Sequence, residues 1–148
     1  ALGIGGAFDM EVGGKTDKMH GKPVRIKGHV RSLHEGTYLE TEVRHGGGRY
    51  FNQGLTAVIE VEGSTREDKN LLVLNSRRSS PNSLHQIVSL GIYPQRQRIL
   101  VAKGTIAPRA AYEPVSAEII AVDSPGATAV NPARFTFRKV RPDLWGMK

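Results

Sequence analysis

Three segments hold side chains whose types and spacing suit chemistry. In the first, Gly13-Gly14-Lys15-Thr16-Asp17 runs on to His20-Gly21, so one glycine-flanked loop can place a cation, a carboxylate and an imidazole together. In the second, Asn75-Ser76-Arg77-Arg78-Ser79 follows an apolar run, where the end of a strand would present its side chains. A guanidinium binds a carboxylate through two parallel hydrogen bonds, so these arginines suit a carboxylate clamp. Consecutive residues tend to point apart, so one of the pair is expected to do the clamping. A salt bridge to a neighbouring domain is the structural alternative. The third, Lys103-Gly104-Thr105 with Arg109, has the same form: an apolar run, a glycine break, then a basic residue near a helix start. The candidate substrate-positioning residues are therefore Lys15, Asp17, His20, Arg77, Arg78 and Arg109.

None of these is a nucleophile or a metal set. The five histidines, His20, His29, His34, His45 and His85, form no His-x-His or His-Glu-x-x-His pattern. Cysteine is absent, which removes disulfides and thiolate ligands. There is no Gly-x-Ser-x-Gly elbow and no carboxylate spacing that implies an acid/base pair. Gly14-Lys15-Thr16 looks like the end of a phosphate-binding loop, but Asp9 stands where that loop needs a further glycine, and no helical pattern follows Thr16. No catalytic residue and no metal ligand is assigned to this chain.

The elements that must position the candidates can be read from periodicity. Phe8 to Val12 predicts a short strand. Val24, Ile26 and Val30 alternate with Arg25, Lys27, His29 and Arg31, the clearest strand pattern present. Gly28 interrupts its apolar face and predicts a bulge or a close backbone approach. A weaker strand is expected over 37–43, and a turn or loop at Gly46-Gly47-Gly48. Leu55, Ala57, Ile59 and Val61 predict one strand face, with Thr56, Glu60 and Glu62 opposite. Leu71 to Leu74 predicts a strand buried on both faces, paired with the previous one as a hairpin across the polar turn 63–70.

Ser83 with Gln86 matches a capping box before a helix that Gly91 ends. Ile99-Leu100-Val101-Ala102 predicts another buried strand. Helical spacing over 110–120 is complicated by Pro114, which predicts a start near Glu113 or a kink there. Pro125-Gly126 reads as a turn, and Phe135 with Phe137 as one face of a last strand. The expected class is α+β, a mostly antiparallel or mixed β-sheet with two short helices in the second half.

The 148 residues fit a single domain, 1–148, with enough chain to bury a core. The net charge of +7 is spread along the chain and concentrates only in Arg134, Arg138, Lys139 and Arg141. A solvated or domain-facing basic surface is favoured over nucleic-acid binding. No apolar run reaches membrane-spanning length and no signal peptide is visible. A cytoplasmic location is expected, and the absence of an initiator Met points to a piece of a longer protein.

Read in order, the segments resemble the C-terminal domain of the microcystinase C-like (MlrC) metallopeptidase family. The matching stretches are Gly13 to Asp17 with His20-Gly21, Asn75 to Arg78, Leu90-Gly91-Ile92, and Ile99 to Gly104. They continue with Arg109 to Tyr112, Pro114, Val122 to Gly126, and the ending Arg138 to Trp145. The resemblance implies a zinc-dependent peptidase whose named example acts on linearised microcystin, a small acidic peptide. It implies that the zinc ligands lie in a larger N-terminal domain, so no cofactor is expected in this chain and zinc is expected in the parent protein.

The expected function is an accessory domain that completes a substrate cleft against that N-terminal metal-binding domain of the same polypeptide, with a peptide as substrate. The alternatives are a stand-alone basic module for nucleic acid or another polyanion, through Arg25, Lys27 and Arg31, or a purely structural or oligomerisation domain. Aromatic content of 6% leaves few stacking platforms for single strands. Nothing in the sequence sets the number of subunits.

Overall fold

The computed structural model describes residues 2–42, 47–124, 126, 129–139 and 141. The chain divides into two compact units, Ala1–Met10 with Arg25–Ile119, and Glu11–Val24 with Ile120–Lys148. The class is α+β. Among the described residues six strands form: β1 (Ala7–Val12), β2 (Val24–His34), β3 (Thr37–Leu39), β4 (Tyr50–Asn52), β5 (Thr56–Val61) and β6 (Leu71–Asn75). Two single-turn helices follow in the second half, α1 (His85–Val88) and α2 (Arg109–Tyr112). The main sheet is antiparallel with order β1-β2-β5-β6, and β3-β4 is a separate two-stranded antiparallel sheet.

The alternation in β2 sets this sheet. Gly28 lies opposite Val61, and a Cβ built on Gly28 would stand 2.1 Å from the Glu60 carbonyl oxygen. No side chain fits there, so the expected close approach is present. The bulge lies further on, where the register shifts between Val30 and Ser32. On β1 and β2, Arg25 donates from Nε and from the guanidinium end to the two Asp9 carboxylate oxygens, at 2.7 and 2.9 Å.

Central β5 is covered on both sides, because consecutive Val58 and Ile59 face opposite ways and both are fully buried. Val58 packs with Leu90 and Ile92 beyond α1, and Leu71, Val73 and Ile87 close around them. Burying each such side chain stabilises by about 1.5–3 kcal/mol. This corrects the single-face reading of the strand. Leu55 precedes it and is exposed, while Thr56 is buried with its hydroxyl donating to the Gly54 carbonyl at 2.8 Å. β6 is half-buried rather than buried on both faces, because it is the edge of the sheet.

A polar core holds the smaller elements to this sheet. Gln53 and Gln86 are 1% and 9% exposed. Gln86 Nε2 donates to Gln53 Oε1 at 3.1 Å and to Ser79 Oγ at 3.2 Å, and Gln53 Nε2 donates to the Gln86 carbonyl at 3.3 Å. Gln86 therefore does not turn back to complete a capping box. Ser83 does not make its half either, since its Oγ accepts at 3.0 Å from the His85 amide, two positions on rather than three. Gly91, at φ 74°, ends the turn as expected, with the Ile92 amide bonding back to the Ile87 carbonyl at 3.1 Å.

Three expectations fail. Ile99 to Ala102 forms no strand, and Ile99 and Val101 are exposed. The helix over 110–120 shrinks to α2 and a 3₁₀ turn, Glu113–Val115, because Pro114 has no amide to continue the ladder. The last strand is absent: Asn131 caps the Ala133 amide at 3.0 Å and Pro132 opens a 3₁₀ turn, Pro132–Arg134, after which the Phe135 and Phe137 rings lie 5.8 Å apart. The strand expected over 37–43 stops at Leu39, and Val43 and Gly46 lie outside the described residues, as does Pro125 of the expected turn.

Gly28→Ala is predicted to lower unfolding stability by about 1–3 kcal/mol, because backbone and not a flexible side chain must yield. Gly3→Ala meets nothing within 4 Å and should change it by less than about 0.5 kcal/mol. Urea denaturation of both variants checks this; equal midpoints would contradict it.

Candidate functional site

The glycine-flanked loop is closed at its neck by Gly14. A Cβ at that position would lie 2.5 Å from the Lys22 carbonyl carbon and 2.6 Å from the Pro23 nitrogen. The positive φ of Gly13, Gly14 and Gly21 lets the backbone turn where other residues would be strained.

Inside the loop the Asp17 carboxylate organises the turn. It accepts the Met19 amide at 2.7 Å, the His20 amide at 3.1 Å and His20 Nδ1 at 2.7 Å. This is an Asx turn whose carboxylate also fixes the imidazole. With its proton assigned to Nδ1, His20 presents Nε2 as a lone-pair acceptor, which suits a hydrogen-bond acceptor or proton acceptor toward a ligand. Gly126 lies against that edge, since a Cβ there would be 3.4 Å from His20 Cδ2 and Nε2. The Asp17 carboxyl is held below its usual range, chiefly by the His20 side-chain hydrogen bond and next by the Met19 amide. Lys15 is not drawn into this group. Its ammonium donates to the Glu11 carbonyl instead.

In the other unit, Arg77 and Arg78 follow β6 and are exposed. The backbone of Arg77 is tied down, its amide donating to the Gln53 carbonyl at 3.0 Å. Its stem lies against Gly54, where a Cβ would be 2.9 Å from Arg77 Cγ. Arg109 opens α2 and is exposed too. Gly104, ahead of α2, packs near a proline from each segment. A Cβ on Gly104 would stand 2.6 Å from Pro108 Cγ and 3.7 Å from Pro81 Cγ. Among the described residues, no carboxylate pairs with Arg77, Arg78 or Arg109. Arg25, by contrast, is engaged by Asp9.

The structure thus brings Asp17 to His20, and sets Pro81, three positions after Arg78, near Gly104 ahead of the Arg109 helix. Sequence reasoning missed the groups beneath the arginines. Ser79 accepts from Gln86 and hydrogen-bonds the Tyr38 hydroxyl, and Tyr38 stacks on Phe51 with ring centroids 5.3 Å apart. Burial raises the pKa of Tyr38 and of Tyr112, and Glu40 adds to the effect on Tyr38. No local motif marks these residues. It also missed Gly126, read only as half of a turn.

Among the described residues no three His, Asp or Glu side chains gather to hold a metal ion. Nor does any helix there reach the length and apolarity needed to cross a membrane. The family model described as MlrC C-terminus matches residues 1–139. The chain belongs to that family. No curated protein matches it. Of the stretches by which an MlrC C-terminal domain was expected, Pro125, Val140 and 142–145 lie outside the described residues.

The pH response of the Asp17 turn in this MlrC domain follows from its lowered pKa. A carboxyl whose folded value is depressed stabilises the turn fully above its ordinary pKa of about 3.9, and the effect is lost as pH falls through the lowered value. The Met19 and His20 amide resonances are predicted to share one acid transition with a midpoint below about 3.9. Asp17→Asn should abolish that acid transition in an NMR titration. A midpoint at or above the ordinary value would show that the carboxylate does not hold the turn.

Proposed function

We propose that this chain is the accessory C-terminal domain of a zinc-dependent metallopeptidase-like hydrolase. In this reading it completes a substrate cleft against the N-terminal region of the same polypeptide, and it holds a peptide there by charge. The observation that carries the reading is the set of three exposed arginines, Arg77, Arg78 and Arg109, that no carboxylate of the described residues neutralises. Free guanidinium groups on a tied-down backbone suit the carboxylates of an acidic peptide, which they bind in fixed geometry. In the other unit, the His20 imidazole, oriented by Asp17, is a separate candidate ligand contact.

Zinc in such hydrolases activates water and polarises the scissile carbonyl. The described residues of this chain do not fit a zinc site, so the ion is assigned to the N-terminal region and this chain to positioning. The polyanion-binding alternative is less well supported, because Arg25, one of its three strand cations, is already held bidentately by Asp9.

The test is made in the complete enzyme with an acidic peptide substrate. Arg77→Ala, Arg78→Ala and Arg109→Ala are predicted to leave zinc content unchanged. At least one should raise KM about tenfold or more, the scale of a lost hydrogen bond to a charged group. A peptide with its carboxylates amidated should be cleaved with nearly the same KM by all three variants and the parent. His20→Ala should lower kcat/KM for both peptides. Unchanged kinetics in all four variants would reject the positioning role.

A further inference from the structure

Arg77-Arg78-Ser79-Ser80 sets two cations directly ahead of two hydroxyls, and Pro81 closes the run. The two serines differ. Ser79 is half-buried and its hydroxyl is engaged, accepting from Gln86 Nε2 at 3.2 Å and bonding the Tyr38 hydroxyl. Ser80 is exposed, and among the described residues its hydroxyl makes no hydrogen bond. The backbone around it is anchored on both sides. The Arg77 amide donates to the Gln53 carbonyl at 3.0 Å, and the Ser80 carbonyl accepts from the Asn82 amide at 2.9 Å.

The charge around Ser80 is one-sided. Arg77 and Arg78 stand three and two positions before it, are exposed, and meet no carboxylate of the described residues. No Asp or Glu occurs in the sequence between Asp68 and Glu113. A long arginine stem reaches a group two or three positions along the chain. A dianion on Ser80 would therefore gain two guanidinium partners and meet no acid from its own stretch of sequence.

We propose that Ser80 is a phosphorylation site, and that Arg77 and Arg78 capture its phosphate and are thereby withdrawn from an acidic ligand. In the step, Ser80 Oγ attacks the terminal phosphorus of a nucleoside triphosphate. The bond from that phosphorus to the bridging oxygen breaks, the nucleoside diphosphate leaves, and the hydroxyl proton passes to a carboxylate of the kinase. The kinase belongs to the class that docks arginines ahead of the acceptor on its own acidic groups, a choice made by charge pattern. The product carries about −1.5 to −2 charge and three strong acceptor oxygens, enough for both guanidinium groups. Ser79 is not the acceptor, because attack there would take its hydroxyl out of the buried glutamine contacts. The effect on a ligand rests on the positioning role proposed for these arginines; the modification and the capture do not.

Phosphopeptide mapping of the complete protein, isolated from the cells that make it, is expected to find phosphate on Ser80 and none on Ser79. A Ser80 free of phosphate, or phosphate on Ser79 in its place, would overturn the proposal. Capture is read by a phosphorus NMR titration of the phosphorylated complete protein. The phosphoserine should titrate below its ordinary value of about 6, since neighbouring cations favour the dianion. Arg77→Ala with Arg78→Ala should return the midpoint to about 6. An ordinary midpoint in the parent would show that the arginines do not hold the phosphate. Phosphorylation should also raise KM for an acidic peptide about tenfold and leave an amidated peptide unaffected. Ser80→Ala should abolish that response to the kinase and keep the unmodified enzyme's KM. A lowered midpoint with unchanged KM would refute the positioning role and leave the phosphate site standing. Changed kinetics in the arginine variants beside an ordinary midpoint would do the reverse.

Discussion

Two buried glutamines link most of what the sheet alone cannot hold. Their amides bond to each other, and one of them also reaches Ser79 beyond β6. Through this contact the turn before β5, the segment after β6 and α1 are fixed to one another, and Ser79 passes the constraint on to Tyr38 of β3. A buried amide that loses its partner costs about 1–3 kcal/mol, comparable to losing a large apolar side chain's burial. A single-turn helix has too few internal bonds to persist alone, so α1 exists because its buried polar and apolar contacts keep it. The guanidinium stem of Arg77 is placed by the same arrangement, since its amide bonds to the Gln53 carbonyl.

That dependence divides the surface charge into two kinds. Arg25, Lys69, Arg98 and Arg134 each meet a carboxylate of their own unit, so they mainly lock backbone segments together. Arg77, Arg78 and Arg109 have no such partner among the described residues. A net positive charge is therefore a poor guide by itself; the arrangement of its neutralised and free members is what suggests a ligand.

Much of the fold was legible because β2 and the β5–β6 hairpin are written in period-two alternation with a polar turn between. Gly28 was legible as a close approach because a glycine on an apolar strand face has few other uses. What sequence could not supply was neighbourhood. Val58 and Ile59 are adjacent, so only the structure reveals that both faces of β5 are covered. Ile99 to Ala102 has every local property of a buried strand, and burial fails because, among the described residues, no strand pairs with it. The phenylalanines after Asn131 alternate as a strand would, but the side-chain cap and Pro132 favour a tight turn first. For the site, Asp17 and His20 were legible because they lie three positions apart inside one turn. The Tyr38, Ser79 and Gln86 group was not, because its members come from distant segments.

The pinch at Gly14 has a consequence for how such a loop can change. Because the peptide between Lys22 and Pro23 rests on that glycine, the residues from 15 to 21 form a noose tied at its own neck. Added length inside the noose is entropically cheap, about 0.6 kcal/mol for each doubling, and it need not be transmitted to the strand pairing outside. Related chains are thus free to trade loop length and chemistry for new ligands while the knot stays the same, provided the residue at the crossing has no side chain.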